Sequence, residues 1–187
     1  MAVGLGNPGS EYAGTRHNAG ADVVALLAAR HGEKLKRGKE RSLVAEARVD
    51  GKRLALAFPQ TYMNDSGLAV RALVRRFDID DLARLVIVHD ELDLEPGRLQ
   101  VKMGGGLAGH NGLKSIVAHL KSDEFARIRI GVGKPPRKEV GADHVLTRPG
   151  KKVREELAIV VQEAADAVEA ILSEGIAPAM NRYNRLS

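Results

Sequence analysis

The sequence predicts an α/β fold, a single domain in which a mixed, twisted β-sheet is sandwiched between helical layers. Strand-like runs alternate along the chain with segments of helical periodicity, which is typical of a sheet covered by helices. Two of the strand-like runs are joined through Asp50-Gly51, a strong hairpin signal, so at least one strand pair is antiparallel. The 187 residues contain no internal repeat and 44% of them are hydrophobic, which is enough for one core. We therefore expect one domain over residues 1–187.

The first half of the chain begins with a short apolar strand at residues 2–5. Asn18 follows as a candidate cap of a helix whose apolar residues recur on one face. Residues 42–49 and 53–58 are the β-rich arms of the hairpin, and residues 66–76 have apolar side chains at helical spacing. This half therefore predicts three strands and two helices.

The second half is organised around a continuous apolar run at residues 85–89, which is typical of a central strand covered on both faces. The run ends directly at Asp90, so an acidic side chain is expected at the end of a buried strand. The remaining predicted elements are a strand, a helix, a strand, a long acidic helix and a short C-terminal segment, at residues 99–103, 113–120, 126–132, 151–172 and 177–182.

Composition and charge limit the classes of function. The net charge is +5, and basic residues cluster at 34–41, 127–138 and 148–154, which favours a polyanionic partner over a merely solvated basic surface. Aromatic residues make up only 3% of the chain, so a nucleic acid would be held mainly by its phosphates. The absence of cysteine excludes disulfides and cysteine-ligated zinc. No targeting segment is recognised and the apolar runs are too short to cross a bilayer, so we expect a cytoplasmic protein.

The segment 3–21 combines glycine turns with groups that donate, accept and carry protons, notably Asn7 and His17. It also matches the dinucleotide fingerprint, as Gly4-x-Gly6-x-x-Gly9. However, Pro8 removes a backbone donor that a phosphate would use, and no acidic residue is well placed for a ribose. A site for polar chemistry is therefore favoured over a nucleotide cofactor.

Polar side chains also occur at later connections that follow strands. The four polar segments are Asn7 with His17, Tyr62-Met63-Asn64, Asp90, and His110-Asn111. In open α/β sheets ligands bind at the carboxyl ends of strands, so these segments are expected to meet in one crevice.

Six ordered motifs, spread over nearly the whole chain, carry a family resemblance. They are Gly4-Leu-Gly-Asn-Pro-Gly9, Thr15-Arg-His-Asn-Ala-Gly20, Thr61-Tyr-Met-Asn-Asp-Ser-Gly67, His89-Asp-Glu-Leu-Asp93, Gly104-Gly-Gly-Leu-Ala-Gly-His-Asn-Gly-Leu-Lys114 and Arg127-Ile-Arg-Ile-Gly-Val-Gly133. Together they resemble the signatures of bacterial peptidyl-tRNA hydrolases. The resemblance implies hydrolysis of the ester between a peptide and the 3′ end of tRNA, without metal or cofactor.

The resemblance also implies roles for particular residues. The essential histidine of the family falls on His17 and its partner acid on Asp90. The asparagines that position substrate fall on Asn7, Asn64 and Asn111, with His110, Tyr12 and Tyr62 also expected at the substrate, and the contacts to tRNA phosphates fall on Lys102 and Arg129. A protein of this kind is expected to act on peptidyl-tRNA as a monomer, with no obligate protein partner and no membrane association.

The chemistry of these residue types supports the roles independently. Ester hydrolysis needs a water that loses a proton as it attacks, and a neutral histidine such as His17 can accept that proton. A carboxylate on the other ring nitrogen, the role of Asp90, would fix the tautomer and stabilise the imidazolium. Asparagine amides can bond a peptide and polarise its carbonyl without adding charge, although the sequence does not say which one faces the oxyanion.

Several alternatives stay open at this stage. Asn18 is interpreted as a cap, His89 as a core histidine, and His31, His119 and His144 as surface or cap residues. His89, Asp90, Glu91 and Asp93 are close in sequence, but strand alternation divides them between faces, which disfavours a metal site. Residues 104–106, between Lys102 and Lys114, form either a phosphate cradle or a flexible hinge. An RNA-binding protein without the hydrolytic reaction is the main alternative function.

Overall fold

The computed structural model describes residues 1–184, and its centre is one mixed sheet of seven strands in the order β2-β3-β4-β1-β5-β7-β6. The strands are β1 Ala2–Gly4, β2 Lys36–Arg37, β3 Ser42–Val49, β4 Lys52–Pro59, β5 Val86–Glu91, β6 Leu99–Met103 and β7 Ala126–Gly131. Strand β1 is parallel to both β4 and β5, and β5 is parallel to β7. The carboxyl ends of these four strands therefore lie along one edge of the sheet.

Helices cover both faces of this sheet. They are α1 Ala19–Arg30, α2 Ser66–Arg76, α3 Asn111–Leu120, α4 Gly141–Val145, α5 Lys151–Glu174 and α6 Ile176–Tyr183. One core cluster joins α1, α5 and α6 to the sheet through residues such as Leu27 and Val168. The other joins α2 and α3 to the opposite face through residues such as Leu73 and Ile116.

Helix α1 lies unusually close to the two central strands. A Cβ on Gly20 would be 2.1 Å from the carbonyl oxygen of Val88, and a Cβ on Gly4 would be 2.1 Å from that of Gly20. Only glycine permits this approach. The turn that precedes α1 is therefore held directly over the ends of β1 and β5.

The predicted fold class is confirmed, and each predicted strand and helix is present within a few residues of its expected bounds. The two-residue strand β2 and the short helix α4 were not predicted. Both are too short to carry a periodic pattern. No helix within residues 1–184 combines the length and the apolar character needed to span a membrane. A single domain over residues 1–187 stays a prediction.

Candidate active site

His17 and Asp90 form a close pair at the carboxyl edge of the sheet. A 3-10 turn, Arg16–Asn18, presents His17, while β5 presents Asp90. The His17 Nδ1 atom lies 2.9 Å from Asp90 Oδ1 and 2.8 Å from Oδ2. Because a carboxylate only accepts, Nδ1 carries a proton, and in the neutral ring Nε2 then has the lone pair. The arrangement can therefore use His17 Nε2 as a base.

His110 is the second partner of Asp90. Its Nε2 donates to Asp90 Oδ1 over 2.9 Å, and its Nδ1 accepts from the backbone N–H groups of Gly112 and Leu113 at the start of α3. His110 is thus the N-cap of this helix, a position where serine, threonine, aspartate or asparagine is usual. The cap fixes the tautomer that donates to Asp90.

Asp90 is 2% exposed and stays ionised between these two imidazoles. Burial alone would raise its pKa. The interactions with His17 and His110, including the hydrogen bonds that both donate, outweigh burial, so the pKa of Asp90 lies well below its usual value. A constant negative charge therefore faces the proton that His17 carries on Nδ1.

His89 is a core histidine, as expected. It is fully buried, and its Nδ1 donates to the carbonyl oxygen of Asp90 over 2.8 Å. Burial, together with the neighbouring His110, lowers the pKa of His89 to about 3. Its Nε2 has no hydrogen-bond partner within the described part of the chain. His89 therefore supports the Asp90 backbone as a neutral group.

Asn7 is held rigidly by its neighbours. Its Oδ1 accepts from the backbone N–H of Met63 over 2.7 Å. Its backbone N–H and C=O both bond the side chain of Asn18, each over 2.9 Å. Because Oδ1 is committed to Met63, the Nδ2 atom of Asn7 is left as a donor, and it has no partner among residues 1–184. Asn7 thus presents an oriented amide N–H group.

The expectation that Asn18 caps α1 holds for its position but not for its side chain. Asn18 occupies the residue before α1, but its side chain makes no hydrogen bond to that helix. Both atoms of its amide are used by Asn7, eleven residues earlier. Pairing an amide with the two backbone groups of one residue satisfies four polar atoms in a buried place, which a cap would not do.

The remaining asparagines lie on two elements that pack together. Asn64 is in the 3-10 turn Met63–Asp65 and Asn111 is the first residue of α3, and both are exposed. A Cβ on Gly112 would be 2.7 Å from Met63 Sδ and 3.0 Å from His110 Cε1. Gly112 therefore brings the turn with Asn64 against the residues around Asp90.

A cavity of about 200 Å³ is lined by His17, Asp90, His110 and Asn111, with α4 along one side. The same His17, Asp90 and His110 offer possible metal-ligand atoms within 4.8 Å of one another, unlike the sequence cluster of His89, Asp90, Glu91 and Asp93. Since both histidines donate hydrogen bonds to Asp90, these bonds account for the closeness of the three side chains without a metal ion.

The structure places Lys102 and Arg129 on one face of the sheet, on adjacent strands. The amine of Lys102 lies beside Gly105, next to the glycine-rich loop. The Arg129 guanidinium is already ion-paired with Glu91, over 2.8 Å, and bonds the side chain of Gln100. A phosphate at Arg129 would compete with Glu91 for the guanidinium. A tRNA contact by Lys102 or by Arg129 stays a prediction.

Arg127 does not belong to the surface cluster in which its sequence neighbours placed it. It is 1% exposed, and it donates to the carbonyl oxygen of Gly106 over 2.6 Å and to that of Asp123 over 3.1 Å. Its role is to hold the glycine-rich loop against the sheet.

Sequence reasoning also missed the residues that hold the loop before His17. Arg148 donates to the carbonyl oxygens of Ala13, over 2.7 Å, and Ser10, over 2.9 Å. Arg16 donates to the carbonyl oxygen of His144 in α4, over 3.1 Å. The loop that carries half-buried Tyr12 is therefore tied to the segment around α4. Nothing in the sequence pairs these arginines with backbone carbonyls so far away along the chain.

A histidine bonded to a buried carboxylate at the carboxyl edge of an α/β sheet is an arrangement that can serve hydrolysis. The family model described as peptidyl-tRNA hydrolase matches residues 1–187. A peptidyl-tRNA hydrolase from Cutibacterium acnes is 48% identical over 195 aligned positions, covering 98% of this chain and 97% of the relative. One from Chloroflexus aggregans is 46% identical over 186, covering 100% and 99%. The chain belongs to the peptidyl-tRNA hydrolase family.

Solved structures agree with this membership. The crystal structure of peptidyl-tRNA hydrolase from Acinetobacter baumannii superposes with a TM-score of 0.93 at 39% identity, covering 98% of this chain and 93% of the other. The resemblance expected from the six sequence motifs is confirmed.

Proposed function

We propose that this chain hydrolyses the ester between a peptide and the 3′ end of tRNA, with His17 as the general base. The observation that carries the proposal is that Asp90 accepts from His17 Nδ1 and leaves Nε2 without a partner among residues 1–184. A water bonded to Nε2 can lose its proton there as its oxygen attacks the ester carbonyl.

The same proton completes the reaction. Attack gives a tetrahedral intermediate and an imidazolium on His17, which the ionised Asp90 stabilises. When the intermediate collapses, the bond to the ribose 3′ oxygen breaks, and the His17 proton passes to that oxygen. The products are a peptide acid and a tRNA with a free 3′ hydroxyl, and His17 is neutral again.

Asn7 is the asparagine that we assign to the developing oxyanion. It is 6% exposed, its Oδ1 is fixed by Met63, and its Nδ2 remains available as a donor. A donor that is already oriented stabilises the transition state more than one that must be ordered. Exposed Asn64 and Asn111, with Tyr12, Tyr62 and His110, are assigned to substrate positioning.

Phosphate contacts are assigned to the glycine-rich side of the site. Lys102 lies beside Gly105, and Arg129 shares its face of the sheet. We expect the protein to act on peptidyl-tRNA as a monomer in the cytoplasm, where translation releases such molecules.

The test is release of tRNA from N-acetyl-aminoacyl-tRNA by the wild-type protein and by His17→Ala, with unblocked aminoacyl-tRNA as the control substrate. Cleavage of the blocked ester, lost in the variant with tRNA binding retained, is the expected result. Tight tRNA binding by a wild-type protein that cleaves nothing would indicate an RNA-binding protein instead.

A further inference from the structure

A basic cavity beside the candidate active site has no role in the reaction described above. Its volume is about 580 Å³, and Arg37, Lys39 and Arg41 lie in its wall. None of these side chains is ion-paired with a carboxylate within residues 1–184. Their neighbour Glu40 is bound by Arg76 over 2.9 Å, which leaves Asp65 as the carboxylate in the lining. The cavity therefore has an excess of positive charge that an anionic ligand would neutralise.

The loop that carries these cations is ordered by its own backbone. The N–H of Gln60 donates to the carbonyl oxygen of Arg41 over 2.7 Å, and that of Gly38 donates to Ser42 over 2.8 Å. Arg41 has a φ of 52°, in the left-handed region that residues other than glycine and asparagine rarely adopt. The backbone of the loop thus keeps Arg37, Lys39 and Arg41 on the wall of one cavity, where a bound anion would offset the repulsion among their like charges.

The cavity opens next to the residues that would hold the ester. Pro8 and Tyr62 line the cavity. Pro8 directly follows Asn7 and Tyr62 directly precedes Met63, and the Met63 N–H donates to Asn7 Oδ1. The cavity lies beyond the start of β3 and the end of β4, whereas Lys102 and Arg129 lie on β6 and β7. The catalytic pair lies at the ends of β1 and β5 and is therefore between the cavity and the expected phosphate contacts.

We propose that this cavity is a subsite for the peptide arm of the substrate and that it favours acidic side chains. The proposal rests on the proposed function, because the two arms of peptidyl-tRNA leave the ester in different directions. With the tRNA arm on the β6 and β7 side, the peptide arm runs over β4 towards β3. Two strand spacings are about 10 Å, and an extended chain covers about 3.4 Å per residue, so the third residue from the ester reaches the cations.

The polar lining suits a peptide. Gln60 and Thr61 contribute an amide and a hydroxyl, and the Thr61 hydroxyl is buried without a partner within residues 1–184. Tyr62 is 60% exposed and offers its ring to a passing chain. Peptide backbone can supply donors and acceptors to these groups while an acidic side chain meets the cations.

The experiment compares N-acetyl-tetrapeptidyl-tRNAs that differ only at the third residue from the ester, as Asp, Asn or Lys. N-acetyl-aminoacyl-tRNA, which has no residue that reaches the cavity, is the fourth substrate. For the wild-type protein we expect a KM about two- to fivefold lower for Asp than for Asn, with Lys the weakest, at low salt. The preference should fade as salt rises to about 0.5 M.

The variants remove the charges without disturbing the loop. The double variant Arg37→Gln/Lys39→Gln and the single variant Arg41→Asn, which suits a positive φ, are expected to abolish most of the difference between the Asp and Asn substrates. Lys36→Gln is the matched control, because Lys36 is the neighbouring cation on β2 and is not part of the cavity wall. It should keep the wild-type preference.

Two results would overturn the proposal. Equal KM values for Asp and Asn substrates in the wild-type protein would remove the acidic preference. An equal loss for every substrate in the variants, N-acetyl-aminoacyl-tRNA included, would assign the cations to tRNA phosphates. Failure of the proposed function looks different, because the wild-type protein would then cleave none of the four esters.

Discussion

Replacing His110 tests whether one side chain supports both the fold and the reaction. His110 caps α3 through Nδ1 and bonds Asp90 through Nε2, with its side chain 7% exposed. His110→Ala removes both bonds. Loss of an N-cap costs about 1 kcal/mol, which in a chain of this size lowers Tm by about 2–4 °C. A hydrogen bond to a charged group contributes about 1.5–3 kcal/mol, so losing the support of Asp90 should slow kcat by about ten- to a hundredfold.

His110→Asn separates the two effects. The amide oxygen of asparagine stands near the position of Nδ1 and is a good cap, but the side chain ends before it can reach Asp90. We expect His110→Asn to be more stable than His110→Ala by about the value of the cap, with the same loss of kcat. Thermal unfolding and steady-state hydrolysis of N-acetyl-aminoacyl-tRNA measure the two quantities. Full activity of His110→Asn would refute the support of Asp90, and equal destabilisation of both variants would refute the cap.

The remaining predictions concern pH and the loop before His17. The pKa of His89 is lowered to about 3 in the folded protein. Between about pH 6.5 and pH 3 the unfolded chain therefore binds a proton at His89 that the folded chain does not bind. The free energy of unfolding falls as the pH falls through this window. His89→Gln should flatten that dependence in urea unfolding at pH 7 and pH 5, whereas an unchanged slope would assign it to other groups. Arg148→Gln frees the carbonyl oxygens of Ser10 and Ala13 and should raise KM more than it lowers kcat, with Lys152→Gln as the control. A fall in kcat alone would contradict this positioning role.

The sheet and its helices could be predicted because their patterns are local. Alternating and continuous apolar runs identified every strand longer than two residues, and Asp50-Gly51 identified the hairpin. The same reasoning placed His17 and Asp90 at one edge, because both lie near the carboxyl ends of parallel strands. Their contact and the family membership agree with that reasoning.

The errors concern side chains whose partners are distant in sequence. Asn18 has the appearance of a cap, yet its amide is used by the backbone of Asn7. Arg127 has the sequence context of a surface cation, yet register with β5 and β6 carries it inside, to the carbonyl of Gly106. The capping role of His110 also has no sequence signal, because histidine is not a typical cap. Tertiary contacts decide such cases, and one sequence does not encode them in a readable pattern.

The buried guanidinium of Arg127 anchors one end of a short turn in the glycine-rich loop. Gly106 is tied to Arg127, and His110 is tied to Asp90, so the chain between them comprises residues 107–109. Ala108 and Gly109 line the cavity above Asp90, and both have positive φ. A turn also closes this span, because the N–H of His110 donates to the carbonyl oxygen of Leu107 over 2.9 Å and Leu107 packs against the core. The cavity wall above Asp90 is thus one short, internally bonded turn, and the place of His110 beside the catalytic carboxylate depends on an arginine that never reaches the site.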